Sequence, residues 1–273
     1  MIPAPFEYVR AGSVEEALAL LQEHGDEAKL LAGGHSLLPM IKLHLAMPAV
    51  LIDLGRIADL DYVRLDGDTV AIGAMATHAA VAGSDVVAEH APLLAHAAQQ
   101  VGDPQVRHRG TFGGSLAHAD PAADMPLAAL TVGATMVAQG PSGRREIAAE
   151  DFFTGFFSTA LGEDELLVEI RVPSLAGHGW GYEKFTRRGN DWAIVGAATV
   201  ARRVALANMG PAALRATVTE QALAGGGSIE DAAAHAADGT EPVNDLHADQ
   251  EYRRHLARVL TARALHTAAG ATR

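Results

Sequence analysis

The sequence contains no cysteine. That excludes a disulfide framework, a thiolate zinc site and an iron–sulfur cluster held by this chain. Any such cluster has to sit on a partner. Among its 13 histidines there is no His-Glu-x-x-His pair, and no serine lies in Gly-x-Ser-x-Gly, so the usual sequence grounds for a metalloenzyme or a serine hydrolase are missing. His108, His118, His178 and His255 stand without the company that metal binding needs and read as surface or hydrogen-bonding side chains. Basic residues are outnumbered, 21 Lys and Arg against 33 Asp and Glu, and the net charge of −12 speaks against a nucleic-acid surface. No segment approaches the ~18 uninterrupted apolar residues of a membrane-spanning helix. The opening residues Met1 to Glu7 lack the basic start and apolar run of a secretory signal, so a cytoplasmic protein is expected.

What is present is a chain of 273 residues, 49% hydrophobic, enough for a packed core and more than one domain. Its organising stretch is Leu30-Leu31-Ala32-Gly33-Gly34-His35-Ser36-Leu37-Leu38-Pro39, a strand that stops in a glycine turn and enters a helix. Adjacent glycines allow positive φ and bring bare amide groups close to a ligand, and Ser36 adds a hydroxyl, so the turn suits an anion such as phosphate. It matches neither the G-x-G-x-x-G dinucleotide fingerprint nor the lysine-ended phosphate loop. A second glycine pair lies further along, in Arg109-Gly110-Thr111-Phe112-Gly113-Gly114-Ser115-Leu116. Two such loops can face one diphosphate.

Around these motifs the chain divides. Residues 6–10 form an edge strand; Ser13 and Glu16 form a capping box for a helix that Gly25 ends; residues 28–32 and 50–54 are strands. The order β-α-β-α-β describes a small α/β unit over residues 1–56 with its ligand beyond a strand end. Residues 57–175 make a second unit. It holds a hairpin turning at Asp66-Gly67, a helix over 91–101 with Leu94, Ala98 and Val101 on one face, a helix starting near Pro121 with Asp124 in its first turn, a hairpin around residues 141–143, and a strand over 166–172. From residue 176 to 273 the spacing predicts strands over 182–186, 192–203 and 214–222, then alanine-rich helices over 228–237 and 247–268. In the last helix Leu256, Val259, Leu260 and Ala264 share one face while Arg253, Arg254, Arg258 and Arg263 decorate the rest. The fold class is α+β.

The two glycine motifs together resemble the FAD-binding medium subunit of the molybdenum hydroxylases, the carbon monoxide dehydrogenase and xanthine dehydrogenase group, and the resemblance runs nearly end to end. The matches are Ala32, Gly33, Gly34, His35 and Ser36, flanked by Leu31 and Leu37, and Thr111, Phe112, Gly113, Gly114 and Ser115. Phe112 stands where the family more often has Ile or Leu. Further matching runs are residues 184–188, 194–197 and 251–256. The resemblance implies a two-part FAD-binding domain of the vanillyl-alcohol-oxidase-like (PCMH) type over 1–175, followed by a smaller C-terminal domain of strands packed with helices. It implies that the two glycine motifs cradle the FAD pyrophosphate and that Asp124, otherwise a first-turn helix charge, bonds the adenosine ribose. Lys184, otherwise an exposed strand cation, would lie near the flavin ring. Leu167 matches a position that packs on the flavin, Val101 one where some relatives carry an aromatic, and Trp192 is a candidate to cover the ring.

The function that the resemblance implies is that of an electron-transfer subunit. The implied partners are a small subunit with [2Fe–2S] clusters and a large subunit with the molybdenum cofactor, two copies of each chain, with electrons passing from the clusters through FAD to an external acceptor. An alternative is a self-contained oxidase of the vanillyl-alcohol-oxidase-like class, in which a Gly-Gly-His segment can carry covalent flavin. The flanking Leu37-Leu38-Pro39 and Asp120-Pro121-Ala122-Ala123-Asp124 favour the carbon monoxide dehydrogenase branch and noncovalent FAD at His35.

Overall fold

Ser13 opens the first helix as its spacing predicts, accepting from the Glu16 amide at 3.1 Å. The Glu16 carboxylate returns to the Gly12 amide at 2.7 Å, one residue before the cap. A computed structural model describes residues 2–270. Met1 and residues 271–273, the ends of the N-terminal stretch and of the expected C-terminal domain, lie outside the described residues.

The first unit comprises β1 (Glu7–Arg10), α1 (Val14–His24), β2 (Ala28–Leu31), α2 (Leu37–Lys42) and β3 (Val50–Asp53). Its strands form a parallel sheet in the order β1-β3-β2. α1 buries Val14, Ala17, Leu18 and Leu21 against it. β2 is an edge strand of this sheet, and the glycine turn that ends it lies against Arg109 and Gly110 of the second unit.

That unit runs through β4 (Val63–Asp66), β5 (Thr69–Gly73), α3 (His78–Gly83), α4 (Asp85–His90), α5 (Pro92–Gln99), α6 (Pro104–Arg107), α7 (Phe112–His118), α8 (Asp124–Val132), β6 (Thr135–Gly140), β7 (Gly143–Ala148), α9 (Ala149–Phe152), the short hairpin β8 (Phe153–Gly155) and β9 (Ser158–Thr159), and β10 (Leu166–Pro173). The sheet order is β4-β5-β10-β6-β7, every pair antiparallel. β10, the last strand in sequence, is its centre, which explains its largely apolar run. The segment read as a second glycine loop is helical from Phe112, with both glycines inside the first turn of α7. The next helix begins at Asp124 rather than Pro121, with Ala123 as its cap.

The C-terminal part holds β11 (Trp180–Phe185), β12 (Val195–Val200), β13 (Arg203–Ala207), β14 (Leu214–Arg215), α10 (Thr217–Ala224), α11 (Ile229–Ala234) and α12 (Gln250–Gly270). Its antiparallel sheet has the order β11-β12-β13-β14. Three expectations change here. The strand predicted over 192–203 is a hairpin arm, turned at Ala201 and Arg202 with φ of 48° and 67°. Residues 214–222 are mostly helix, because Glu220 one turn into α10 accepts from the Val204 amide at 2.7 Å and from Arg215, tying the segment back to β13. Arg253 is fully buried instead of decorating the surface, donating to the Ile194 carbonyl and to Asp245.

Alternation along β12 and β13 serves two cores. Val195, Ala197, Val204 and Leu206 face α12 through Leu256, Ala257 and Leu260. Ala198, Val200, Ala205 and Ala207 share a core with Leu127, Ala128, Met136 and Ile170 of the second unit. α8 is buried at every residue, as a helix apolar all round must be. It lies between layers, with Asp124 at the end that reaches the cavity.

Candidate functional site

The turn after β2 is held open by its two glycines in different ways. Gly34 takes φ of +76°, where a side chain is strained. At Gly33 a Cβ would fall on the Arg109 carbonyl oxygen and lie 2.7 Å from the Gly110 Cα. Gly33 is therefore a backbone-to-backbone junction between the two glycine motifs. With the turn so placed, the amides of Gly33, Gly34, His35, Ser36 and Leu37 have no acceptor among the described residues, and Ser36 makes no side-chain cap. His35 is exposed and the other four residues are half-buried; a run of free amides at a helix start, facing a cavity, suits a ligand that accepts from it.

The second motif contributes differently from the sequence expectation. Phe112 donates to the Ala76 carbonyl and Gly113 to that of Ala74, both at 2.9 Å. Gly114 donates to Thr111 Oγ1 at 3.2 Å and Ser115 to the Thr111 carbonyl at 3.0 Å. The first two knit α7 to the segment that follows β5, and the other two close the cap of α7 itself. The groups left for a ligand are the hydroxyls of Thr111 and Ser115, both in the wall of the cavity.

That cavity has a volume of about 730 Å³ and runs between the first unit, α7 and the start of β12, a size within the usual range of cofactor sites. It gathers most of the residues singled out from the sequence. Ala32, Gly33, Gly34, His35, Ser36 and Leu37 line it, as do Val101, Thr111, Gly113, Gly114, Ser115, Asp124, Leu167, Lys184 and Trp192. Leu31 and Phe112 do not. Leu31 is the last ladder residue of β2, and the Phe112 side chain points the other way, wholly buried in the main core. Trp192 is 56% exposed, at the mouth rather than the floor.

Asp124 and Lys184 meet one another. Lys184 Nζ lies 2.9 Å from Asp124 Oδ2 and also donates to the Gln100 carbonyl at 3.2 Å, while the Tyr182 hydroxyl donates to Asp124 Oδ1. The Lys184 side chain is only 7% exposed, so it is no open strand cation. Burial pushes the Asp124 carboxyl up, against the opposing pull of Lys184 and Tyr182. Burial and the neighbouring carboxylate push the Tyr182 hydroxyl well above its ordinary value. The lysine charge is therefore already met by a carboxylate, and each Asp124 oxygen retains a second lone pair for a ligand hydroxyl.

Other wall residues were not apparent from the sequence. His118, read as a surface or hydrogen-bonding side chain, packs its ring 4.8 Å from that of Phe157, and burial lowers its affinity for a proton. His78 lines the cavity although nothing in its sequence neighbourhood marks it. His78 is brought to the wall by the laying of segment 74–78 against 110–113, and His118 meets Phe157 from a distant part of the chain. Among the described residues no group of three or more His, Asp or Glu is placed to hold a metal ion.

Known proteins share this architecture. Residues 4–175 match the family model described as the FAD binding domain in molybdopterin dehydrogenase, and residues 180–268 match the CO dehydrogenase flavoprotein C-terminal domain. The chain is 46% identical to the carbon monoxide dehydrogenase medium chain of Hydrogenophaga pseudoflava, covering 98% of each. It is 38% identical to the 6-hydroxypseudooxynicotine dehydrogenase complex subunit alpha of Paenarthrobacter nicotinovorans, covering 97% of this chain and 95% of that one. A solved structure of the Hydrogenophaga pseudoflava carbon monoxide dehydrogenase, in a form lacking the Mo-pyranopterin moiety, superimposes with a TM-score of 0.96 at 47% identity over 99% of both chains.

Proposed function

Because the chain belongs to the FAD-binding medium-subunit family of carbon monoxide dehydrogenase and related molybdenum hydroxylases, we propose that it is the electron-transfer subunit of such a complex. Its task is to relay electrons from [2Fe–2S] clusters on a small partner to an external acceptor, while a large partner carrying the molybdenum cofactor oxidises the substrate. The observation that carries this reading is the row of unpaired amides from Gly33 to Leu37 in the wall of a cofactor-sized cavity. Bound FAD supplies the exchange between one-electron and two-electron steps.

The chain's own residues bind and tune. The amides of residues 33–37 and the Thr111 and Ser115 hydroxyls hold the diphosphate; Gly33 keeps the two motifs in register. Asp124 accepts from a ribose hydroxyl while it neutralises Lys184. That pairing moderates the lysine's field on the flavin, so its effect on potential is smaller than an unpaired charge would give. Leu167 and Val101 supply apolar wall and Trp192 shields the mouth. No side chain needs to act as acid or base. The oxidised substrate is read by the large partner, so its identity lies outside this chain. The assembly we expect is a dimer of heterotrimers in the cytoplasm; among the described residues no helix is long and apolar enough to cross a membrane.

Native purification of the tagged chain from its own host tests this. Two further chains, iron, molybdenum and acid-released FAD should come with it, and light scattering should give the mass of two copies of each chain. A lone yellow protein whose flavin survived denaturation would overturn the subunit reading and make His35 the attachment point of a self-contained oxidase.

A further inference from the structure

His78 is the first residue of α3, 4% exposed, with its Nδ1 enclosed and without a hydrogen-bond partner. It nevertheless belongs to the cavity wall. Its backbone amide donates to the Gly110 carbonyl at 2.9 Å, and its ring lies close on that glycine: a Cβ at Gly110 would stand 2.8 Å from Cδ2 and 3.0 Å from Nε2. Gly33 abuts Gly110 as well. The imidazole, Gly110 and Gly33 therefore form one stack, which brings the Nε2 edge to within one backbone layer of the unpaired amides. An enclosed N–H without an acceptor is costlier than an enclosed lone pair, which assigns the proton of the neutral ring to Nε2.

We propose that His78 is a contact of the cofactor's diphosphate, its Nε2–H donating to a phosphate oxygen held by the amides of residues 33–37. The proposal rests on the FAD reading. It gives the Nε2–H an acceptor that arrives on binding, while Nδ1 keeps its enclosed lone pair. The titratable and charged groups facing the ring are the His35 imidazole from the glycine turn and the Arg107 guanidinium from α6, the latter tied to the carbonyls of Val101 and Gly102. Burial, reinforced by these two, lowers the imidazole to about 4, so it is neutral in the flavin-free chain. An anionic diphosphate beside it acts in the opposite direction and draws a proton on to the ring as pH falls.

The test uses the full chain stripped of flavin and titrated calorimetrically with FAD in two buffers of different ionisation enthalpy. His78→Phe keeps a ring and loses the donor, so FAD should bind about 10- to 100-fold more weakly, with circular dichroism unchanged. His78→Gln restores a donor near the Nε2 position and should recover most of the loss. Near pH ~5 the wild type should take up more protons per FAD bound than His78→Gln, which has no group to titrate there. Equal affinity of wild type and His78→Phe overturns the proposal and leaves the FAD reading standing. Should His78→Phe fail to fold, proton uptake by His78→Gln equal to the wild type's overturns it instead. A wild-type chain that binds no FAD removes the reading and this proposal together.

Discussion

Single side chains around the cavity carry energetic costs that can be measured without any partner subunit. The depressed His78 makes stability depend on acidity, because the folded chain holds the ring neutral down to about 4 while the unfolded chain titrates near 6.5. Between those values the unfolded state binds more protons, so this contribution is complete above 6.5 and is lost as pH falls towards 4. The ceiling is about 3 kcal/mol. Urea unfolding of the flavin-free chain across this window should show the slope, and His78→Gln should flatten it; an unchanged slope would place the acid sensitivity elsewhere. The Asp124–Lys184 pair behaves differently. Lys184→Met leaves a buried carboxylate with only Tyr182 and should cost about 3 kcal/mol. Combining it with Asp124→Asn should cost less than the sum of the single changes, a coupling that a double-mutant cycle reads directly. At Gly33 even alanine puts a methyl on the Arg109 carbonyl. Gly33→Ala should lower stability by about 1–3 kcal/mol and release flavin on dilution, since the two motifs must part to admit it.

At the scale of elements, the cap of α7 ties stability to the site. Thr111 accepts from the Gly114 amide and also lines the cavity. Thr111→Val should cost about 1 kcal/mol through the lost cap, with Thr111→Ser restoring both stability and flavin retention; equal flavin retention in Thr111→Val would remove the hydroxyl from the site. Elements with local signals were legible in the sequence: the Ser13 cap, the Asp66-Gly67 hairpin, the glycine turn after β2 and the strand β10. Elements whose form is set from a distance were not. The turn at Ala201 and Arg202 takes positive φ at both residues without glycine, asparagine or aspartate to announce it. α10 begins Thr217-Val218-Thr219, a β-branched run that reads as strand, and becomes helix because Thr219 is buried and Glu220 bonds back to β13. The candidate site divides the same way. Its residue types were legible from the two glycine motifs, but the exchange of roles between them was not. Which amides stay free depends on Ala74 and Ala76, which take those of Phe112 and Gly113.

For the whole molecule, the question is whether the break near residue 176 is a boundary in energy as well as in chain direction. The two family models change over between residues 175 and 180, yet the packing is continuous there. Ala198, Val200, Ala205 and Ala207 of the C-terminal sheet close the core that α8 fills with Leu127, Ala128 and Val132. Lys184 of the same sheet and Trp192 just before β12 then complete the cavity wall. Splitting the chain would expose an apolar helix on one side and a sheet face on the other, and would leave Asp124 without Lys184. Cooperativity follows from shared burial, so calorimetry of the full chain should give one transition whose calorimetric and van't Hoff enthalpies agree. The fragment 1–175 should show exposed apolar surface by dye binding, and it should retain little FAD. Two separated transitions, with a fragment that keeps its flavin, would mean that the sheet only rests on α8 and that the cavity is the property of the first two units alone.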